Sequence, residues 1–170
     1  MPNTSPVTAW KALKEGNERF VAGKPEHPSQ SVEHRASLAA GQAIDSAVLG
    51  SIEYAVTVLD VPLIVVLGHS SCGAVKAAIG AIDDGAIPGG FVRDVVERVA
   101  PSILMGRRDG LSRVDEFEER HVCETLAQLV SRSSAIAERV DAGTLALAGV
   151  TYKLAEGRAA LVDHIGDIGE

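Results

Sequence analysis

Aromatic residues are scarce in this chain, with one Trp, two Tyr and three Phe among 170 residues. Any core must therefore be aliphatic, built from Ala, Val, Leu and Ile. Cysteine is scarcer still, at two. Two thiols do not make a disulfide framework, so the cytoplasm is the expected compartment. Basic charge is in deficit, 16 Lys and Arg against 23 Asp and Glu, for a formal net charge of -7. That argues against nucleic acid or an anionic membrane as a partner. No apolar run approaches the ~18 residues of a membrane span. Met1 to Ser5 carry neither the basic nor the apolar part of a signal peptide, so none is expected. There is no internal repeat and no low-complexity tract. The length and the 23% of charged residues fit one folded α/β domain with a full core.

The organising stretch is Leu63-Ile64-Val65-Val66-Leu67-Gly68-His69-Ser70-Ser71-Cys72-Gly73. Five unbroken apolar residues, three of them β-branched counting Ile64, read as a strand buried on both faces, as in a parallel sheet. Gly68 ends the run, and Ala74 to Ile82 read as a helix. In open α/β sheets, ligands bind beyond the carboxyl ends of strands. The loop between strand and helix is therefore where chemistry is expected, and it carries His69 and Cys72.

Elsewhere the signals are ordinary. Ser5 and Pro6 read as the N-cap and first position of a helix to about Ala22, stopped by Gly23 and Pro25. Lys24 to Ser31 read as a polar loop, and Ser31 to Ala40 as a short helix. Asp45 or Ser46 caps a helix through Leu59. After the turn Asp83-Asp84-Gly85, a helix is expected from Val92 to about Leu104, then a charged loop from Gly106 to Gly110. Ser112 with Asp115 resembles a capping box. Helical pattern then runs to about Val140, divisible into two helices. Leu145 to Leu154 and Ala159 to Ile165 read as strands, the last antiparallel to its neighbour.

Histidine nitrogen and cysteine sulfur are preferred zinc donors, so His69 and Cys72 are candidate metal ligands. The plainer reading of an H-x-x-C pair is a buried thiol and a hydrogen-bonded imidazole. Zinc also needs about four donors, three from protein in a catalytic site. The only other cysteine, Cys123, lies in a helical stretch and reads as core. A second chemistry uses the same loop. Gly68-His69-Ser70-Ser71-Cys72 nearly matches the nucleophile elbow G-x-S-x-G with Ser70 as nucleophile, but Cys72 replaces the second glycine. Asp163 and His164, adjacent in sequence, are poor triad partners for it. His27, His34 and His121 read as solvated or locally bonded, and Asp115-Glu116-Glu118-Glu119 as a solvated helix face. Arg107-Arg108 reads as part of a surface loop.

Gly68-His69-Ser70-Ser71-Cys72-Gly73 resembles the second zinc motif, G-H-x-x-C-G, of the β-class carbonic anhydrases. Leu13 through Phe20 resembles that family's N-terminal helix. Ser51-Ile52-Glu53-Tyr54-Ala55-Val56 resembles the helix leading into its central strand, and Gly149-Val150-Thr151-Tyr152 with Gly157 its late strand and hairpin. The likeness covers nearly the whole chain and is greatest to actinobacterial members. It implies a three-layer α/β fold with a parallel central sheet and an antiparallel C-terminal edge strand. It also implies zinc as cofactor and reversible hydration of carbon dioxide to bicarbonate, with His69 and Cys72 as two of the protein ligands. The family's zinc lowers the pKa of bound water to generate the attacking hydroxide. Self-association is implied as well, to a homodimer or higher even oligomer, for which Trp10 and Phe20 are candidate anchors.

One departure is large. The family's first motif, C-x-D-S-R, supplies another Cys ligand and an Asp–Arg pair. It should lie between Ala40-Gly41-Gln42 and Ile44-Asp45-Ser46, yet only Ala43 separates them. A strand–helix–strand unit of roughly 30 or more residues is expected to be missing. The expected architecture is thus a single domain over 1–170, with a helical arm over 1–42 and an α/β core over 43–170 that lacks its first two strands. Leu63–Leu67 would then become a sheet edge. The catalytic dyad is absent and half of the zinc site remains. Three readings follow: an enzyme with a broken metal site, a non-catalytic homologue serving as oligomer partner or regulator, and a shortened form of a protein whose full chain carries the unit.

Overall fold

The computed structural model describes residues 5–24 and 46–170. The expected helix over Ser31–Ala40, the loop before it, Asp45 and the junction at Gln42–Ala43 lie outside the described residues.

Ser5 starts the first helix, α1 (Pro6–Val21), as expected. Its hydroxyl accepts from the Thr8 amide at 3.2 Å, and the Thr8 hydroxyl accepts from the Ser5 amide at 3.2 Å. Two of the helix's otherwise orphaned donors are thereby satisfied, an arrangement worth about 1 kcal/mol. α2 (Ser46–Thr57) follows, and then the first strand, β1 (Leu63–His69). α3 (Gly73–Asp83) and α4 (Phe91–Arg108) come next. The helical tract beyond is two helices, α5 (Val114–Arg132) and α6 (Ser134–Asp141). Ser133 divides them, accepting from the Ile136 amide and donating to Glu53 Oε1 at 2.6 Å. The strands β2 (Ala146–Lys153) and β3 (Arg158–Ile165) close the chain.

The sheet has the order β1-β2-β3 among the described residues, with β1 parallel to β2 and β2 antiparallel to β3. A β-bulge sits between Gly149 and Val150: Gly149 faces Asp163 and Val150 faces Leu161, leaving Val162 as the extra residue. Strand alternation divides the core between two faces. Leu145 and Leu147 pack with Val56, Leu126, Leu129 and Ile136 against α2, α5 and α6. Ala146, Ala148 and Val150 pack on the other face with Trp10 and Ile168. Helix, sheet, helix is the three-layer arrangement expected. A further cluster, Val75, Ala78, Val96, Val99, Ile103 and Phe117, joins α3, α4 and α5.

Three local readings need correcting. First, α4 does not end near Leu104 but runs through Arg108. Gly106 lies under the Phe117 ring, where an added Cβ would come within 2.9 Å of two ring carbons. Arg107 reaches Asp83 at 2.6 Å and lies over the same ring. Tertiary contacts thus hold Gly106-Arg107-Arg108 helical where the local sequence reads as loop. Second, the cap of α5 is shifted by one residue from Ser112–Asp115. Glu116 accepts from the amides of Ser112 and Arg113 at 3.0 and 2.8 Å, because its longer side chain reaches back further than Asp115. Third, Trp10 is not presented to a partner. It is 6% exposed, packed on this chain's own sheet, and its indole donates to Glu170 Oε1 at 2.9 Å.

β1 is an end strand of the described sheet. Its Ile64 and Val66 pack against the α5 side, whereas Val65 and Leu67, on the opposite face, are exposed, Leu67 to 60%. An aliphatic strand that reads as buried on both faces is covered on one.

Candidate functional site

β1 carries His69 as its last residue, and three residues later Cys72 is the N-cap of α3. Two devices fix the loop between them. The Ser70 amide donates to Tyr152 O at 2.9 Å, and the Ser70 hydroxyl accepts from the Leu154 amide at 3.1 Å, tying the loop to the end of β2. Ser71 adopts φ 61, a left-handed conformation that costs a non-glycine residue about 1–2 kcal/mol. Such an outlier persists only where its surroundings over-determine it, and these cluster at functional sites.

The imidazole of His69 is half satisfied. Nδ1 lies 3.1 Å from Ser70 O, a contact in which Nδ1 donates. Nε2 is buried and has no hydrogen-bond partner among the described residues. A buried, unpartnered ring nitrogen is costly, and metal coordination is one standard way to satisfy it. With Nδ1 protonated toward a backbone carbonyl, Nε2 holds the free lone pair, the usual state of a metal-ligating histidine. Cys72 is half-buried with a free thiol. These two residues suit zinc by chemistry. No group of three or more His, Cys, Asp or Glu able to hold a metal exists among the described residues.

Cys123 sits on α5, where burial and the nearby Asp163 carboxylate push its thiol up, and it forms no group of three metal donors with His69 and Cys72 among the described residues. His164 Nδ1 lies 2.9 Å from Gly166 O, and the Asp163 carboxylate accepts from the His164 amide at 2.8 Å. Neither residue is paired with Ser70, whose hydroxyl is engaged by Leu154. His121 is neither solvated nor bonded locally: it lies 2.9 Å from the Ser102 hydroxyl on α4, and burial pushes its imidazole below the ordinary range. His27 and His34 lie outside the described residues.

The residue that sequence reasoning missed is Glu118. In an acidic run it reads as solvated, yet it is 7% exposed, and its carboxylate accepts from the Cys72 amide at 2.7 Å. The available signal was spacing: Glu118, Val122, Leu126 and Leu129 share one face of α5, and all four are buried. Val122 from the same face closes over Gly68, where an added Cβ would fall 2.6 Å from Val122 Cγ2. α5 thus contacts the residue before His69 and the amide of Cys72 at once.

The carbonic anhydrase family model matches residues 30–159. The chain is 65% identical to carbonic anhydrase 2 of Mycobacterium tuberculosis, covering 100% of this chain and 99% of that protein. It is 58% identical to the carbonic anhydrase of Mycolicibacterium smegmatis, covering 100% of each. Both alignments run over 205 positions against the 170 residues here, so about 35 positions of each alignment have no residue of this chain. The chain is thus shorter than these relatives by about the length of the unit expected to be missing. Among solved structures, a tetrameric β-carbonic anhydrase from Sordaria macrospora shares the fold at TM-score 0.59 and 23% identity, covering 90% of this chain and 91% of that one. The sheet topology, the loop that carries His69 and Cys72, and these matches lead to one conclusion: the chain belongs to the β-carbonic anhydrase family.

Proposed function

We propose that this chain is a β-carbonic anhydrase family protein with half of its zinc site, so that hydration of carbon dioxide is impaired or absent in this form. The observation that carries the proposal is the donor set. Cys72 and Cys123 are the only cysteines, and Cys123, on α5, does not join His69 and Cys72 in a group of three donors among the described residues. His69 and Cys72 would hold the metal, with solvent supplying the other positions. A zinc ion bound at a complete site lowers the pKa of bound water. What this chain's own residues contribute is narrower: Glu118 and Ser70 fix the loop, and His69 Nε2 and the Cys72 thiol would be the donors offered to a metal. Nothing in the sequence replaces the family's Asp–Arg pair. We take residues 1–42 as an N-terminal arm and 43–170 as the core of one domain acting in the cytoplasm. Its partners are carbon dioxide, bicarbonate and copies of itself.

Stopped-flow hydration of carbon dioxide tests this directly. Zinc-supplemented protein should show little or no rate above a chelator-treated control. A zinc-dependent rate as fast as that of a family member with the complete site, lost in His69→Ala, would refute the proposal.

A second reading, a non-catalytic partner in an oligomer, is supported by the uncovered face of β1. Val65 and Leu67 on the strand are exposed, and Tyr54 on α2 with Val58 and Leu59 just beyond it are exposed as well. Apolar exposure along a sheet edge is normally covered in a working protein. Light scattering should give a dimer or a higher even oligomer, whereas a monomer at micromolar concentration would remove this reading.

A further inference from the structure

We propose that Glu118 is the positioning residue of the His69–Cys72 loop, holding it in a ligand-ready geometry through the Cys72 amide. The inference rests on the reading above that these two residues are the metal donors. Three observations carry it. Glu118 is a carboxylate 7% exposed, and its one hydrogen bond given by the structure, 2.7 Å, goes to the Cys72 amide rather than to a cation. That amide lies in the loop that holds the left-handed Ser71, a conformation the chain does not adopt unaided. His69 Nε2, at the other end of the loop, is buried with no partner among the described residues, so the loop is held while a donor atom is left available. A buried carboxylate is an expensive device if packing alone were needed, since an apolar residue would fill the same space more cheaply. Its cost is accounted for if it fixes the direction in which the Cys72 side chain leaves the backbone. In metal sites, such outer partners orient the ligands without touching the ion.

The test uses the full chain in a Cys123→Ala background, so that Cys72 is the only thiol. Two quantities are read: amide hydrogen exchange at Cys72 without metal, and cobalt(II) affinity from the thiolate-to-cobalt absorption band. Glu118→Ala should speed exchange at Cys72 by roughly tenfold, as loss of one charge-assisted hydrogen bond implies. Exchange in β2 should not change. Cobalt affinity should fall about 10–100-fold. Glu118→Gln, whose amide oxygen still accepts from the Cys72 amide, should restore both. Unchanged exchange at Cys72 in Glu118→Ala overturns the proposal. So does exchange that rises equally across α5 and β2, which would mark Glu118 as a packing residue. Failure of Glu118→Gln to rescue also overturns it. If Glu118→Ala does not fold, Glu118→Asp, one methylene short of the Cys72 amide, is read in the same way. Tight zinc binding by the unsubstituted chain would defeat the reading of an incomplete site. The ratio between variant and parent would still decide the role of Glu118.

Discussion

Gly68→Ala is the substitution that best joins the fold to the site. An alanine Cβ at this position would lie 2.6 Å from Val122 Cγ2. Carbon atoms in contact sit about 3.5–4.0 Å apart, so strand and helix must separate by about 1 Å or Val122 must leave its place. Val122 is 3% exposed on the face of α5 that covers the sheet, and its other methyl would crowd a Cβ at Gly149 in the same way, at 2.8 Å. It has little room to yield. Overpacking of this kind costs about 1–3 kcal/mol. For a chain of this length that lowers the melting midpoint by about 2–12 °C. The assay is urea unfolding of four proteins: parent, Gly68→Ala, Val122→Ala and the double variant. Val122→Ala alone should cost about 1–3 kcal/mol for its two lost methyl groups. In its background the added Cβ meets no Cγ2, so Gly68→Ala should then cost little. The coupling should fall in the range of about 0.5–3 kcal/mol for residues in contact. Equal costs of Gly68→Ala in both backgrounds would refute the reasoning, as would a Gly68→Ala protein as stable as the parent.

Other outcomes follow from the same geometry. Trp10→Ala should destabilise the subunit by about 3–5 kcal/mol, read by denaturant unfolding, because the indole is buried on this chain's own sheet. An unchanged midpoint would show that Trp10 is not part of that core. His121 titrates below its ordinary range because burial disfavours the imidazolium. The unfolded chain therefore binds the proton more readily. The stability His121 contributes is present above about pH 6.5 and is lost as pH falls through that value toward the folded one. Unfolding midpoints between pH 7 and 5.5 should fall less steeply in His121→Gln than in the parent.

Much of this fold was legible because its signals are local. Leu63–Leu67 is too apolar and too β-branched to be a loop, and Ser5-Pro6 starts a helix by chemistry contained in a few residues. Ser133, which divides the long helical tract, could be placed only as one option, since its hydroxyl is committed to Glu53, 80 positions away in sequence. The loop with His69 and Cys72 was legible for the same local reason, supported by its place after an aliphatic strand. What escaped reading depends on partners distant in sequence. Glu118 sits among acidic residues, and only the burial of its helix face reveals that it meets Cys72. Gly106-Arg107-Arg108 looks like a turn until Phe117 and Asp83 are brought against it. Trp10 looked available to a partner because composition cannot say which surface an aromatic residue covers.

The account's central claim is that this chain holds half of a zinc site, and native mass spectrometry after dialysis with added zinc measures it most directly. Two donors leave most of the coordination shell to water, so binding should be weak. The expected spectrum shows well under one zinc per chain, with the bound fraction lost in His69→Ala and in Cys72→Ala. One tightly held zinc per chain would contradict the account and show that a third ligand completes the site.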